Sequence, residues 1–255
     1  MSRALPSSGP KDGGTLVTVT SSEALEFSTA RCVFDTVFVA AKMSTIDPYS
    51  LVCASPRGQT SGTVPLRIVL DDTEPLVPGD GGVFEYMPTV KVNGLYPTLG
   101  QMLGGQRVSV LGENFASKGL NCKFGQTILS GHDVQFMTSS LILCVSPPTS
   151  SEERVYIEVS VNGGMDFTED RKSFFYQNEF SVDRVVPSKG FAMTGNQRVT
   201  ILGNHFHDSA DFMCTFGISD SASAIRLSAT KIHCSVPQRE AGTVRLTISD
   251  SHGSL

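Results

Sequence analysis

The sequence predicts an all-β chain of three tandem β-sandwiches, and three observations carry that prediction. Short apolar alternations recur along its 255 residues, the whole pattern repeats at an interval of about 90 residues, and each repeat holds one pair of cysteines. Those pairs are Cys32 with Cys53, Cys122 with Cys144, and Cys214 with Cys234. Period-two alternation marks a strand with one buried face. Self-similarity at a fixed interval marks repeated structural units, whose function usually lies on their surfaces.

Taken in order, each repeat opens near a proline, at Pro6, Pro97 and Pro187. A glycine-containing stretch then leads into an alternating strand, with Val17 and Val19 matched by Val108 and Val110 and by Val199 and Ile201. Next come Cys32 with Phe34, Cys122 with Phe124 and Cys214 with Phe216, spaced so that each pair lies on one face of a strand. The second cysteine is followed within three residues by Pro56, Pro147 or Pro237, which cannot donate to a ladder and so favours an exit from the sheet. Another alternating strand recurs at Val64, Leu66 and Ile68, at Val155, Ile157 and Val159, and at Val244, Leu246 and Ile248. A closing aromatic strand follows in two repeats, Phe84 with Tyr86 and Phe174 with Tyr176; the third has none. Asn162 with Gly163 reads as a hairpin turn, since both tolerate positive φ.

Units of this size and strand content fit immunoglobulin-like sandwiches. The chain has no tryptophan, so the buried tryptophan of antibody-type domains is excluded. The expected boundaries are residues 1–88, 89–177 and 178–255. Met1 falls where the first strand should already be under way, and Leu255 precedes a third closing strand. The first and last sandwiches are therefore expected to be incomplete and the chain to be a fragment of a longer protein. Only Met87, Pro88 and Thr89, and then Gln177, Asn178 and Glu179, separate the units. Linkers that short do not act as free coils, which predicts sandwiches set end to end with little bending.

At these residues the chain resembles the IPT/TIG domains, immunoglobulin-like sandwiches of the early-set type found in plexins, growth-factor-type receptors and fibrocystin-like surface proteins. The pattern begins with a proline and glycine loop, seen at Gly9, Pro10, Gly13, Gly14 and Thr15, and more loosely at Gly104 to Gln106 and Gly195 to Gln197. A Gly-x-x-Phe turn follows at Gly112 to Phe115 and Gly203 to Phe206, then Cys-x-Phe-Gly at Cys122 to Gly125 and Cys214 to Gly217. The first repeat departs from it: Asp35 stands where the glycine should follow Phe34, and no such turn follows Thr20.

Six cysteines in evenly spaced pairs are either buried thiols or three bridges. Their repetition in each copy favours bridges, and the resemblance implies one within each pair, closing loops of about 20 residues. Bridges of this kind point to an oxidising compartment. Residues 1–20 lack the apolar core of a signal peptide, which the expected loss of an N-terminus explains. There is no Asn-x-Ser/Thr sequon and no apolar run long enough to cross a membrane.

A net charge of -5 with scattered basic residues argues against nucleic acid as a partner, despite pairs such as Arg239 with Arg245 and Arg171 with Lys172. No nucleophile elbow, phosphate loop or His-Glu-x-x-His helix occurs, so no catalytic residues and no cofactor are expected. His205, His207, Asp208 and His233 form the best metal-like cluster, but they read as ordinary residues of the Gly-x-x-Phe turn and its surroundings. The acidic stretches Asp71, Asp72, Glu74 and Asp80, and Asp166, Glu169 and Asp170, lack EF-hand spacing and read as wet loops.

The resulting expectation is a non-enzymatic extracellular or cell-surface segment, a rigid stalk and protein-recognition module of receptor or adhesion type. Its partners would be a protein ligand or neighbouring receptor domains; any membrane anchor would lie elsewhere in the full-length protein. Leu99, Met102, Leu103, Phe191 and Met193 are the candidate contact residues. The alternatives are a carbohydrate-binding accessory module and an intracellular transcription-factor-type module.

Overall fold

The computed structural model describes residues 3–21, 28–71, 82–191, 197–208, 211–218, 220–250 and 253–254. The chain is all-β, with a single 3-10 turn, Gly131–Asp133, among the described residues. It divides into two compact units. One comprises Met1–Leu99, Gly104–Pro148 and Arg154–Phe175; the other comprises Gly100–Leu103, Thr149–Glu153 and Tyr176–Leu255.

The first sandwich pairs a four-stranded sheet, ordered Arg3–Leu5, Leu16–Thr20, Ser50–Ala54 and Lys42–Met43, with a five-stranded sheet, ordered Ser8–Pro10, Val83–Met87, Gly62–Leu70, Ala30–Phe34 and Val37–Ala40. The opening strand changes sheets at Pro6, after which Ser8–Pro10 runs parallel to Val83–Met87. The second sandwich repeats this plan. Lys91–Tyr96, Arg107–Glu113, Leu141–Val145 and Val134–Thr138 make one sheet; Leu99–Gln101, Lys172–Gln177, Glu153–Ser160, Asn121–Phe124 and Thr127–Leu129 make the other. The three-residue strand Arg3–Leu5 thus takes the place of the six-residue Lys91–Tyr96.

The third sandwich, in the other unit, has one sheet of Ser181–Val186, Gln197–Asn204, Lys231–Val236 and Ile225–Ser228. Its second sheet is Asp220–Ser223, Met213–Phe216, Leu246–Asp250 and Gly253–Ser254, so Val244 falls just before the strand it was expected to open.

In every sandwich the alternating positions fill the core. Val17, Val19, Phe34, Leu66, Ile68, Phe84 and Tyr86 are buried together in the first, and Phe206, Phe212 and Phe216 with Ile201 and Ile248 in the third. The closing aromatics meet the cysteine strands edge to face, Phe84 on Phe34 at 5.2 Å and Phe174 on Phe124 at 5.5 Å. Buried aromatic pairs of this geometry contribute roughly 0.5–1.5 kcal/mol beyond their area.

The disulfides join Cys32 to Cys53, Cys122 to Cys144 and Cys214 to Cys234. Each links a strand of one sheet to a strand of the other, across a core where all six residues are buried.

The glycine motifs have steric causes. A Cβ on Gly13 would lie 2.7 Å from the Pro56 carbonyl carbon, and one on Gly104 would lie 2.7 Å from that of Pro147, so in the first two repeats the loop after the second cysteine closes down on glycine. A Cβ on Gly112 would collide with Lys91 O and the Phe115 ring, and one on Gly203 with Ser181 O and the Phe206 ring. The Gly-x-x-Phe motif therefore lets the opening strand lie against the phenylalanine that plugs the sandwich. Asp35 at φ 56° holds the same left-handed turn as Gly125 at 59° and Gly217 at 77°, so the first repeat keeps the bend despite its different residue. The segment after Thr20 lies largely outside the described residues.

One turn differs from expectation. Strands Glu153–Ser160 and Lys172–Gln177 are joined by residues 161–171, so Asn162 and Gly163 are not a two-residue hairpin. The Asn162 side chain instead organises this wider loop: its Oδ1 accepts from Asp166 N at 3.0 Å and from Ser160 Oγ at 2.9 Å.

Candidate functional site

The loop built on Asn162 reaches the first sandwich, and together they form the most developed site in the first unit. Thr15 closes the glycine loop and is only 1% exposed, so its hydroxyl needs an internal partner. It donates to Asp166 Oδ2 at 2.7 Å. Asn162 Nδ2 donates to that same oxygen at 2.7 Å and to Ser8 O at 3.1 Å. One carboxylate of the second sandwich is thereby tied to one hydroxyl of the first, through hydrogen bonds that are stronger for involving a charge.

The linker residues Pro88 to Val90 are held from both sides. Thr89 Oγ1 donates to Asp12 Oδ2 at 2.5 Å, and Asn114 Nδ2 donates to Thr89 O at 2.8 Å. Just beyond, Val92 N donates to Asp170 Oδ2 at 2.6 Å. Asn114 adopts φ 61° in the Gly-x-x-Phe turn, which aims its amide at the linker.

Beside these bonds lies a groove of about 490 Å³. Its apolar lining includes Met87, Val90, Val159, Val161 and Phe167, and its charged lining is Asp12, Asp166, Glu169 and Asp170 with Lys91. The Lys123 ammonium sits 4.6 Å from the Phe167 ring centroid and 3.2 Å from Glu158, which fixes that wall.

The expected acidic loops therefore do more than stay wet. Asp166 holds the junction, while Asp170 accepts from Val92 N and Asp71 from Ser28 N at 2.8 Å and Thr29 N at 2.7 Å, each within its own sandwich. Asp72, Glu74 and Asp80 lie outside the described residues. Among the described residues no three His, Cys, Asp or Glu side chains group as metal ligands.

In the second unit, Asn178 N and Nδ2 donate to Glu152 Oε1 at 2.9 and 3.0 Å, and His207 Nε2 lies 2.9 Å from Asn178 O. The backbone bond from Asn178 chiefly, with its side-chain amide and the nearby His207 and His205, holds the Glu152 carboxyl below its ordinary range. His205 at φ 56° occupies the turn position of Asn114 and stacks on His207, while His233 lies on Lys231–Val236 opposite Thr200. Asp208 pairs with Arg226 at 2.6 Å. Arg239 is spent on Phe216 O and Asp220 rather than on a basic face.

The candidate contact residues fall in different settings. Leu99 is half-buried at the start of an edge strand. Met102 is half-buried and bonded through its backbone to Gln177 and Thr149. Leu103 is 76% and Phe191 82% exposed, and Met193 lies outside the described residues. None of the four described ones lines the groove. Its residues were visible in sequence only as an acidic loop and a short linker.

The fold and junction define a tandem of disulfide-bridged immunoglobulin-like modules. The IPT/TIG domain pattern matches residues 1–86, 90–176 and 181–254, and the chain belongs to the IPT/TIG domain family. Plexin-2 of Caenorhabditis briggsae is 25% identical over 214 residues, covering 79% of this chain and 11% of the relative. A probable serine/threonine-protein kinase of Dictyostelium discoideum is 29% identical over 139 residues, covering 51% of this chain and 18% of the relative. The chain thus spans about a tenth to a fifth of the length of these curated relatives. Among solved structures, the full extracellular region of Plexin A4 matches 96% of this chain and 22% of its own, at 20% identity and a TM-score of 0.42.

Proposed function

We propose that the chain is a non-enzymatic segment of an extracellular or cell-surface protein of receptor or adhesion type. Its sandwiches space neighbouring domains and present fixed surfaces to a protein partner. The observation that carries this reading is the inter-sheet disulfide present in every sandwich. Bonds of this kind form and persist in oxidising compartments and are rare in the cytosol. The bonded linker between the first two sandwiches supports the spacing role, because a surface already ordered loses less entropy when a partner binds. The similarity to Plexin-2 supports a receptor setting.

The test uses the protein from its own cells. Intact cells are surface-biotinylated, then lysed under alkylating, non-reducing conditions for peptide mapping. The expected result is a biotinylated chain with all three pairs joined. Six freely alkylated cysteines in folded, unlabelled protein would overturn the reading in favour of an intracellular module.

A further inference from the structure

The junction groove has a chemistry that the proposed recognition role does not by itself specify. Four carboxylates line it, Asp12, Asp166, Glu169 and Asp170, against the single ammonium of Lys91. Three of them are engaged largely by neutral donors: Asp166 by Thr15 and Asn162, Asp170 by Val92 N, and Asp12 by the Thr89 hydroxyl. Arg57 approaches Asp12 only at 4.0 Å, and both side chains are largely exposed. Hydrogen bonds from neutral groups fix a carboxylate in place without cancelling its charge, so the groove keeps a negative potential. The same groove has an apolar lining that includes Met87, Val90 and Val161.

A side chain that suits both parts has an aliphatic stem and a cationic head, which describes arginine and lysine. We infer that the groove docks an extended basic segment of a partner protein, one in which arginine or lysine alternates with apolar residues. The stems would lie on the apolar lining and the heads would meet Glu169 and Asp12, while Asp166 remains committed to the junction and Asp170 to Val92 N. This inference rests on the protein-recognition reading above. A second copy of the chain is a poor occupant, because at a net charge of -5 its own surface is acidic.

The experiment is fluorescence anisotropy on the purified full chain with a labelled decapeptide alternating arginine and leucine. A glutamate-leucine decapeptide serves as control. The arginine peptide is expected to bind, and to weaken as salt rises from about 50 to about 300 mM, where screening shortens to a few ångströms. Glu169→Lys should weaken it roughly threefold to tenfold and Lys91→Glu should tighten it by roughly threefold, as expected for exposed charge pairs. Both residues are exposed, so neither change threatens folding. Equal binding of the two peptides, or indifference to both variants, would overturn the inference. So would full displacement by spermine at equal concentration, which would identify a small-cation site instead. Because the measurement uses purified protein, it can fail while the disulfide and surface-labelling result stands, and the reverse.

Discussion

The bond between Thr15 and Asp166 joins residues 151 positions apart, and its energy measures how firmly the first two sandwiches are coupled. Thr15→Val keeps the shape of the side chain and removes the hydroxyl. Asp166→Ala removes the acceptor of both Thr15 and Asn162, leaving a hydroxyl on a residue that is 1% exposed without its partner. A hydrogen bond to a charged group contributes about 1.5–3 kcal/mol, and an orphaned buried donor costs about 1–3 kcal/mol. Asp166 is half-buried, so the lower ends apply: about 1.5 kcal/mol for Thr15→Val and about 2.5 kcal/mol for Asp166→Ala. If the two act through one bond, the double variant should be less destabilised than the sum of the singles by about 1–2 kcal/mol. Urea unfolding followed by far-UV circular dichroism gives the four free energies; tryptophan fluorescence is not available in a chain without tryptophan. A coupling of less than about 0.3–0.5 kcal/mol, the range seen for independent sites, would refute the claim that this contact ties the sandwiches.

The other expectations are simpler. Replacing Cys122 and Cys144 together by serine opens a loop with a sequence separation of 22 and should cost roughly 3 kcal/mol by chain entropy. Hydrogen exchange should then accelerate in strands Arg107–Glu113 and Asn121–Phe124, and unchanged exchange there would contradict the bridging role. Gly112→Ala forces a methyl into Lys91 O and the Phe115 ring, so a loss of about 1–3 kcal/mol is expected in thermal unfolding. A neutral effect would mean that the strand can retreat. Burial raises the Tyr86 hydroxyl above its ordinary range, and burial with Glu153 nearby raises that of Tyr176. A raised folded-state value gives stability that is full below the unfolded tyrosine value of about 10 and is lost as pH rises beyond it. The Tyr86→Phe, Tyr176→Phe double variant should therefore show a flatter stability profile above pH ~10 than the parent; parallel profiles would exclude these two groups.

Most of the fold could be read in the sequence because the core is periodic. Val108 and Val110, Cys122 and Phe124, and Ile157 and Val159 alternate as a pleated sheet requires, and all are buried. The glycines were legible as positions, but their cause was not. Gly112 is constrained by Lys91 O, which comes from a strand on the far side of a loop, and no local pattern encodes that approach. The Asn162 turn was misread for a similar reason. Asn-Gly has the local preferences of a hairpin, but the Asn162 side chain is captured by Asp166 and Ser8 O, and the loop widens around those bonds.

The junction was hidden because alignment of repeats draws attention to what they share. Ile68 faces Cys32 across its sheet as Val159 faces Cys122, so Asp71 and Asn162 stand at matching places three residues further on. Asp71 turns back to the Ser28 and Thr29 amides of its own sandwich, whereas Asn162 turns outward to Ser8 O of its neighbour. The same backbone position closes a loop in one repeat and joins two sandwiches in the next. A tandem array keeps its common residues for folding each unit, which leaves the positions where the units disagree free to set the junction and the groove beside it. Exchanging those two residues tests this division of labour: Asn162→Asp with Asp71→Asn should leave both cores intact by near-ultraviolet dichroism. It should also remove the bond to Ser8 O, since a carboxylate cannot donate. Faster amide exchange across residues 87–92 would be the expected mark of the loosened junction, and loss of either core instead would show that the differing positions are needed for folding after all.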